Sequence, residues 1–174
     1  MNKMTDLEKK EYIRKHLSHE LRSLLGAATV WQRLKVENQG FDVCVAMDSA
    51  FVHCRSLFNF FCKKNKKKKQ SGRDYSVTEF KVDSPYLSNI FDQWIGELNW
   101  SVMHLHNGRT NTSSKNSIQD QVEIFALEIL RLWKLFEVEE SASIFSEVLY
   151  DARKEAIKCA KDDTKEKINP LFTL

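Results

Sequence analysis

His104, His106 and Arg109 are the densest group of side chains in the sequence that could do chemistry. They fall near the end of a stretch, residues 86–109, that reads as one helix. The negative end of a helix favours a protonated imidazole. An imidazole titrating near neutrality can give a proton to a leaving oxygen or take one from a sugar hydroxyl. Arg109 could grip a phosphate through two charge-assisted hydrogen bonds. Such a set would suit metal-independent RNA cleavage, in which the 2′-hydroxyl itself attacks the phosphate. The plainer alternative makes both histidines surface residues on a helix end and Arg109 a solvated cap.

A second pair, His53 and Arg55, lies in FVHCRSLFNFF. His53 falls at the edge of an apolar stripe beside Ala50 and Leu57. Arg55 lies about 160° away around the helix, at ~100° per residue. The two cannot both point straight into one site. A boundary histidine, and an arginine paired with Asp48 or Asp92, explain them equally well. Lys63, Lys64, Lys66, Lys67, Lys68 and Lys69 would attract phosphate backbones or anionic lipid in a salt-dependent way. In a eukaryotic chain the same run reads as a nuclear localisation signal. Its alternative is a solvated loop, and the adjoining residues lack the interleaved aromatics of a single-strand stacking platform.

The elements that must position these groups read as helices. Thr5 with Glu8 is a capping box, and Ile13, Leu17, Leu21, Leu24, Ala28 and Trp31 continue as a helical stripe to about Leu34. Asn38-Gln39-Gly40 ends that helix. A second runs from about Asp42, with Val43, Ala46, Met47, Ala50, Cys54, Leu57, Phe58 and Phe61 in register. Residues 63–83 break the pattern: the basic part reads as a flexible loop, and VTEFKV as one short extended piece. The third helix is opened by Ser84-Pro85 and closed by Asn107-Gly108, with Leu87, Ile90, Phe91, Trp94, Leu98, Val102 and Leu105 on its stripe. Ile118, Val122, Phe125, Ile129, Trp133 and Phe136 define a fourth, capped by Ser117. Phe145, Val148, Leu149, Ala152, Ala156 and Ala160 define a fifth, started by Ser141 or Ser143. The tail from about 162 to 174 docks or frays. Five amphipathic helices predict an all-α, up-and-down bundle with a charged loop between the second and third.

The composition suits that reading. A chain of 174 residues with 42% hydrophobic and 29% charged side chains fits one soluble domain over 1–174. Five glycines and two prolines leave little turn material for a many-stranded sheet. No apolar run approaches the ~20 residues that span a bilayer, and the charged N-terminus lacks the apolar segment of a signal peptide. The expected location is cytoplasmic, with no membrane partner. The net charge of +3 hides an asymmetry: removing the six clustered lysines from 27 Lys and Arg leaves 21 against 24 acidic side chains, a net of −3. The sequence is a mildly acidic body with one basic loop. Cys44, Cys54, Cys62 and Cys159 show no C-x-x-C pairing and read as buried, reduced thiols. No metal-ligand or cofactor motif is read.

Two resemblances follow from these residues. His53-x-Arg55-x-Leu57 with Phe60-Phe61, then Asn99-x-x-x-x-His104-Leu105 and Arg109, resembles HEPN-type helical domains. The likeness is greatest to small prokaryotic ones with H-x-R-N-L-x-x-F and I-N-x-x-x-x-H-L-T-x-x-R. It covers about residues 41–136. It implies a bundle of four or five helices, commonly a homodimer. Active members resemble metal-independent ribonucleases of toxin–antitoxin or anti-phage systems, with a composite site between protomers. In that case His104 is the general acid/base, Asn99 orients it or the substrate, and Arg109 or Arg55 binds the scissile phosphate. His53, His106, Lys66, Lys67, Lys68 and Lys69 would contact RNA or a nucleotide. One departure matters: active members carry an arginine four to six residues before the histidine, and here Leu98, on the apolar stripe, stands in that place. The rival is a non-catalytic module such as an antitoxin, adaptor or regulatory subunit. Separately, Ser18-His19-Glu20-Leu21-Arg22 looks like the phospho-accepting box of sensor histidine kinases. That box has proline where Leu24 stands, and no glycine-rich ATP-binding pattern follows. A histidine phosphotransfer module using His19 is the minor alternative.

Overall fold

Thr5 opens the first helix of the computed structural model, which describes residues 4–37, 40–63, 75–103 and 118–162. Its hydroxyl accepts from the Glu8 N–H at 3.2 Å, and the Glu8 carboxylate accepts from the Thr5 N–H at 2.7 Å. This reciprocal cap satisfies two donors that a helix start leaves unpaired. Helix α1 (Asp6–Tyr12) widens into a single π turn, Ile13–Leu17, and continues as α2 (Ser18–Glu37). The rod buries Ile13, Leu17, Leu21, Leu24, Ala28 and Trp31, the stripe read from the sequence. Helix α3 (Gly40–Cys62) turns its Ala46, Met47, Ala50, Cys54, Leu57, Phe58 and Phe61 inward, as their spacing predicts.

The segment after α3 departs from expectation twice. VTEFKV is not extended: Val77–Phe80 forms a 3-10 turn. Val77 and Phe80, three residues apart, bury on one side, which matches the three-residue period of that helix. Lys81 then takes the left-handed conformation, φ 69°, and Val82 also turns inward. Helix α4 (Asn89–Met103) starts later than residue 86, because Ser84-Pro85 does not cap it. Ser88 does, its hydroxyl accepting from the Phe91 N–H at 3.1 Å and donating to the Glu128 carboxylate at 2.5 Å. Tyr86 gives its N–H to the Phe61 carbonyl at 2.9 Å. Leu87 therefore lies before the helix and is 85% exposed rather than on the stripe.

A 3-10 turn, Ile118–Gln121, leads into α5 (Val122–Val138), whose Val122, Phe125, Ile129, Trp133 and Phe136 are buried. The expected cap, Ser117, lies outside the described residues. Helix α6 (Ser146–Asp162) begins after another 3-10 turn, Glu140–Phe145, and not at Ser141 or Ser143. The result is an all-α bundle: α2 packs along α3 and α6, while α5 closes it against both. Where α3, α5 and the turn at Val77–Phe80 meet, Phe60, Phe61, Phe80, Trp133 and Phe136 form edge-on and tilted ring contacts with centroids 5.0 to 6.2 Å apart. Each such side chain contributes ~1.5–3 kcal/mol by leaving water. The Trp133 indole N–H satisfies the Leu149 carbonyl at 3.1 Å, joining α5 to α6. Among the described residues there is no strand, and no helix is long and apolar enough to cross a membrane.

The four cysteines are free. Burial holds for Cys54 alone; Cys62 and Cys159 are half-buried, and Cys44, on the outer side of α3, is exposed.

Candidate functional site

His104, His106, Arg109, Lys66, Lys67, Lys68 and Lys69 lie outside the described residues. Asn99, His53, Arg55 and His19 lie within them. The bond from Tyr86 to Phe61 and the 5.7 Å contact of the Phe58 and Phe91 rings make α3 and α4 antiparallel neighbours. The second half of α4 therefore runs beside the middle of α3, where His53 and Arg55 lie. Asn99 is exposed, whereas Leu98 beside it is completely buried. Leu98 is part of the core.

Arg55 and His53 leave α3 on opposite flanks, as their angular separation requires. The Arg55 Nε is buried and finds no hydrogen-bond acceptor among the described residues. A charged donor left without an acceptor is costly. His53 faces α2, where its Nδ1 lies 2.9 Å from the Glu20 carboxylate. A carboxylate can only accept, so the neutral imidazole must carry its proton on Nδ1, leaving Nε2 as an acceptor. His19, exposed on α2, meets the His53 ring edge-on at 5.8 Å.

His53 also lines an open groove of about 610 Å³ between α2 and α3. Its walls are Ala27, Val30, Leu34, Val45 and Ala46, with Ser23, Ser49, Arg33 and Asp42 as the other polar groups. Glu20 on α2 meets His53 on α3, while Arg33 and Asp42 line the same groove further along each helix, so the two helices are antiparallel. Arg33, Ser23 and Ser49 make no hydrogen bond or ion pair among the described residues. The groove is lined about equally by apolar and polar side chains, and converging polar groups are what fix a ligand's orientation in such a site. The arrangement can hold an anion at Arg33 and a hydroxyl at His53. A second groove, about 780 Å³, lies over α1 and the π turn beside Tyr12, His16 and Tyr75. Its acids are already engaged, Glu8 in the cap and Glu11 with Lys15 at 2.6 Å.

Cys54 and Cys62 offer no nucleophile in this region. Burial, then the carboxylates of Glu128 and Asp92, pushes Cys62 up to about 12, and burial also raises Cys54. Both stay protonated near neutrality, and the thiolate is the reactive form. Among the described residues no cluster of three or more His, Cys, Asp or Glu side chains could hold a metal ion.

Sequence reasoning missed Glu20 and Arg33. The box around His19 drew attention to the histidine, but the residue after it makes the contact that matters to His53. Only the 33-residue separation between Glu20 and His53 hid the pair. Comparison with known proteins finds no matching family model, no similar curated protein and no similar solved structure.

Proposed function

We propose that this chain is a HEPN-like domain that acts on or binds RNA as a homodimer, in a toxin–antitoxin or anti-phage setting. The observation that carries the reading is the antiparallel pairing of α3 with α4. The His53-x-Arg55 turn and the helix bearing Asn99 are side by side, and the buried Arg55 Nε has no acceptor among the described residues. In the catalytic version His104, just beyond the described end of α4, moves the proton, Asn99 orients it, and Arg55 or Arg109 binds the phosphate. The burial of Leu98 favours a second reading, in which the domain binds RNA or a protein partner without cleaving it.

The test is cleavage of a mixed, structured RNA in EDTA by the purified chain and by His104→Ala. Cleavage that survives chelation and disappears in the folded variant supports the nuclease. No cleavage by either, with RNA still bound, transfers the reading to the binding module. Neither cleavage nor binding refutes an RNA function.

A further inference from the structure

We infer that the α2–α3 groove is a single-stranded RNA subsite in which Arg33 holds a phosphate and His53, positioned by Glu20, reads a 2′-hydroxyl. The inference rests on the RNA reading above and adds Arg33, Glu20 and the α2–α3 groove to it.

Three properties of the groove select the ligand. Arg33 makes no ion pair or hydrogen bond among the described residues although it lines the wall. Its guanidinium therefore offers a phosphate two parallel donors. Asp42 lies at the same end and makes no ion pair with Arg33. Its charge opposes a second anion there, so this end suits one phosphate of a chain rather than a polyphosphate cluster.

At the other end the chemistry is inverted. The Glu20 carboxylate accepts from Nδ1–H, so the ring in its neutral form presents an acceptor, Nε2. An acceptor needs a donor from the ligand, and a phosphate oxygen cannot supply one. A ribose 2′-hydroxyl can, and it is the group that separates RNA from DNA. The Ser23 and Ser49 hydroxyls donate or accept equally and do not discriminate. Ser23 and Arg33 are about 15 Å apart along α2 at 1.5 Å per residue. A ligand that meets both ends must offer an anion and a hydroxyl over that length. A short single strand does so, its sugars and bases covering Ala27, Val30, Val45 and Ala46. Glu20 is a positioning residue here, because it acts through the imidazole.

The experiment measures binding of fluorescent single-stranded RNA and of DNA of the same sequence to the whole chain, by anisotropy. Arg33→Gln, Glu20→Ala and Glu20→Gln are compared, each with an unchanged helical circular dichroism spectrum. Arg33→Gln weakens both strands about tenfold, as loss of a charge-assisted contact should. Glu20→Ala leaves DNA binding unchanged and lowers the RNA preference about fivefold, the scale of one neutral hydrogen bond. Glu20→Gln keeps the preference, since the amide oxygen still accepts from Nδ1. Nitrogen-15 spectra of the imidazole report the tautomer directly: Glu20→Ala moves the His53 proton to Nε2, and Glu20→Gln does not. If RNA binds but Arg33→Gln and Glu20→Ala leave both affinities unchanged, the groove assignment is overturned and the RNA reading stands. Equal wild-type affinity for RNA and DNA also overturns it. If the wild-type chain binds no RNA, both fall.

Discussion

Glu137 is the point at which the bundle is most sensitive to a single charge. It ends α5 with only 8% of its surface exposed. Arg153 on α6 donates to it twice, from Nε at 2.7 Å and from Nη2 at 3.1 Å. Its main-chain carbonyl, one of those that the end of α5 leaves unpaired, accepts from the Ser146 hydroxyl at the start of α6 at 2.7 Å. Lys134 at 3.3 Å is more than half exposed and adds little. Glu137→Ala leaves Arg153, itself 13% exposed, as a charge without its acceptor. Removing one partner of a fully buried pair costs ~3–5 kcal/mol, and the partial exposure of Arg153 lowers this to about 2–3 kcal/mol. For a chain of this size that is a fall in Tm of roughly 5–10 °C. Urea denaturation of both single variants and of Glu137→Ala/Arg153→Ala should give a coupling energy of about 2 kcal/mol. The pH dependence has a fixed sign. Burial pushes the carboxyl up, but Arg153 and then Lys134 pull it further down, and the net position is below the ordinary 4.5. The stabilisation is thus fully present above that value and is lost as pH falls through the lower folded value. A loss under about 0.5 kcal/mol for Glu137→Ala, the range of ordinary surface changes, would refute the reasoning.

Ser88→Ala removes both the cap of α4 and the bond to Glu128. It should cost about 1–2 kcal/mol in denaturant, whereas Ser84→Ala, outside the helix, should cost almost nothing. Alkylation with iodoacetamide near pH 8, followed by peptide mass mapping, should label the exposed Cys44 first. Cys54 and Cys62 should stay unmodified until the chain unfolds, because burial keeps both thiols protonated.

The helices were legible because their apolar residues recur at three and four, and a face that must be buried leaves that trace in any sequence. Helix ends were less legible, since local signals compete. Ser84-Pro85 and Ser88 are both acceptable starts for α4, and the choice falls to a tertiary contact, the Tyr86 ring and N–H against Phe61. VTEFKV misled through its alternation. Val77 and Phe80 carry the information in a spacing of three, too short a run to stand out. Of the candidate site, the sequence singled out His53 correctly as a boundary residue. Its partner could not be read, because nothing local ties position 20 to position 53 or places Arg33 along the same groove.

The π turn at Ile13–Leu17 sets an azimuth. One extra residue is taken up in that turn, and in an α-helix one residue is a rotation of about 100°. That rotation aims α1 so that Asp6 reaches Lys81 at 2.8 Å and Tyr12 meets Tyr75 and Phe80 at 4.9 and 5.9 Å. The turn works as a phase shifter: by a single-residue change of pitch, one continuous rod presents a face to the α3 and α6 side over α2 and a differently directed face over α1.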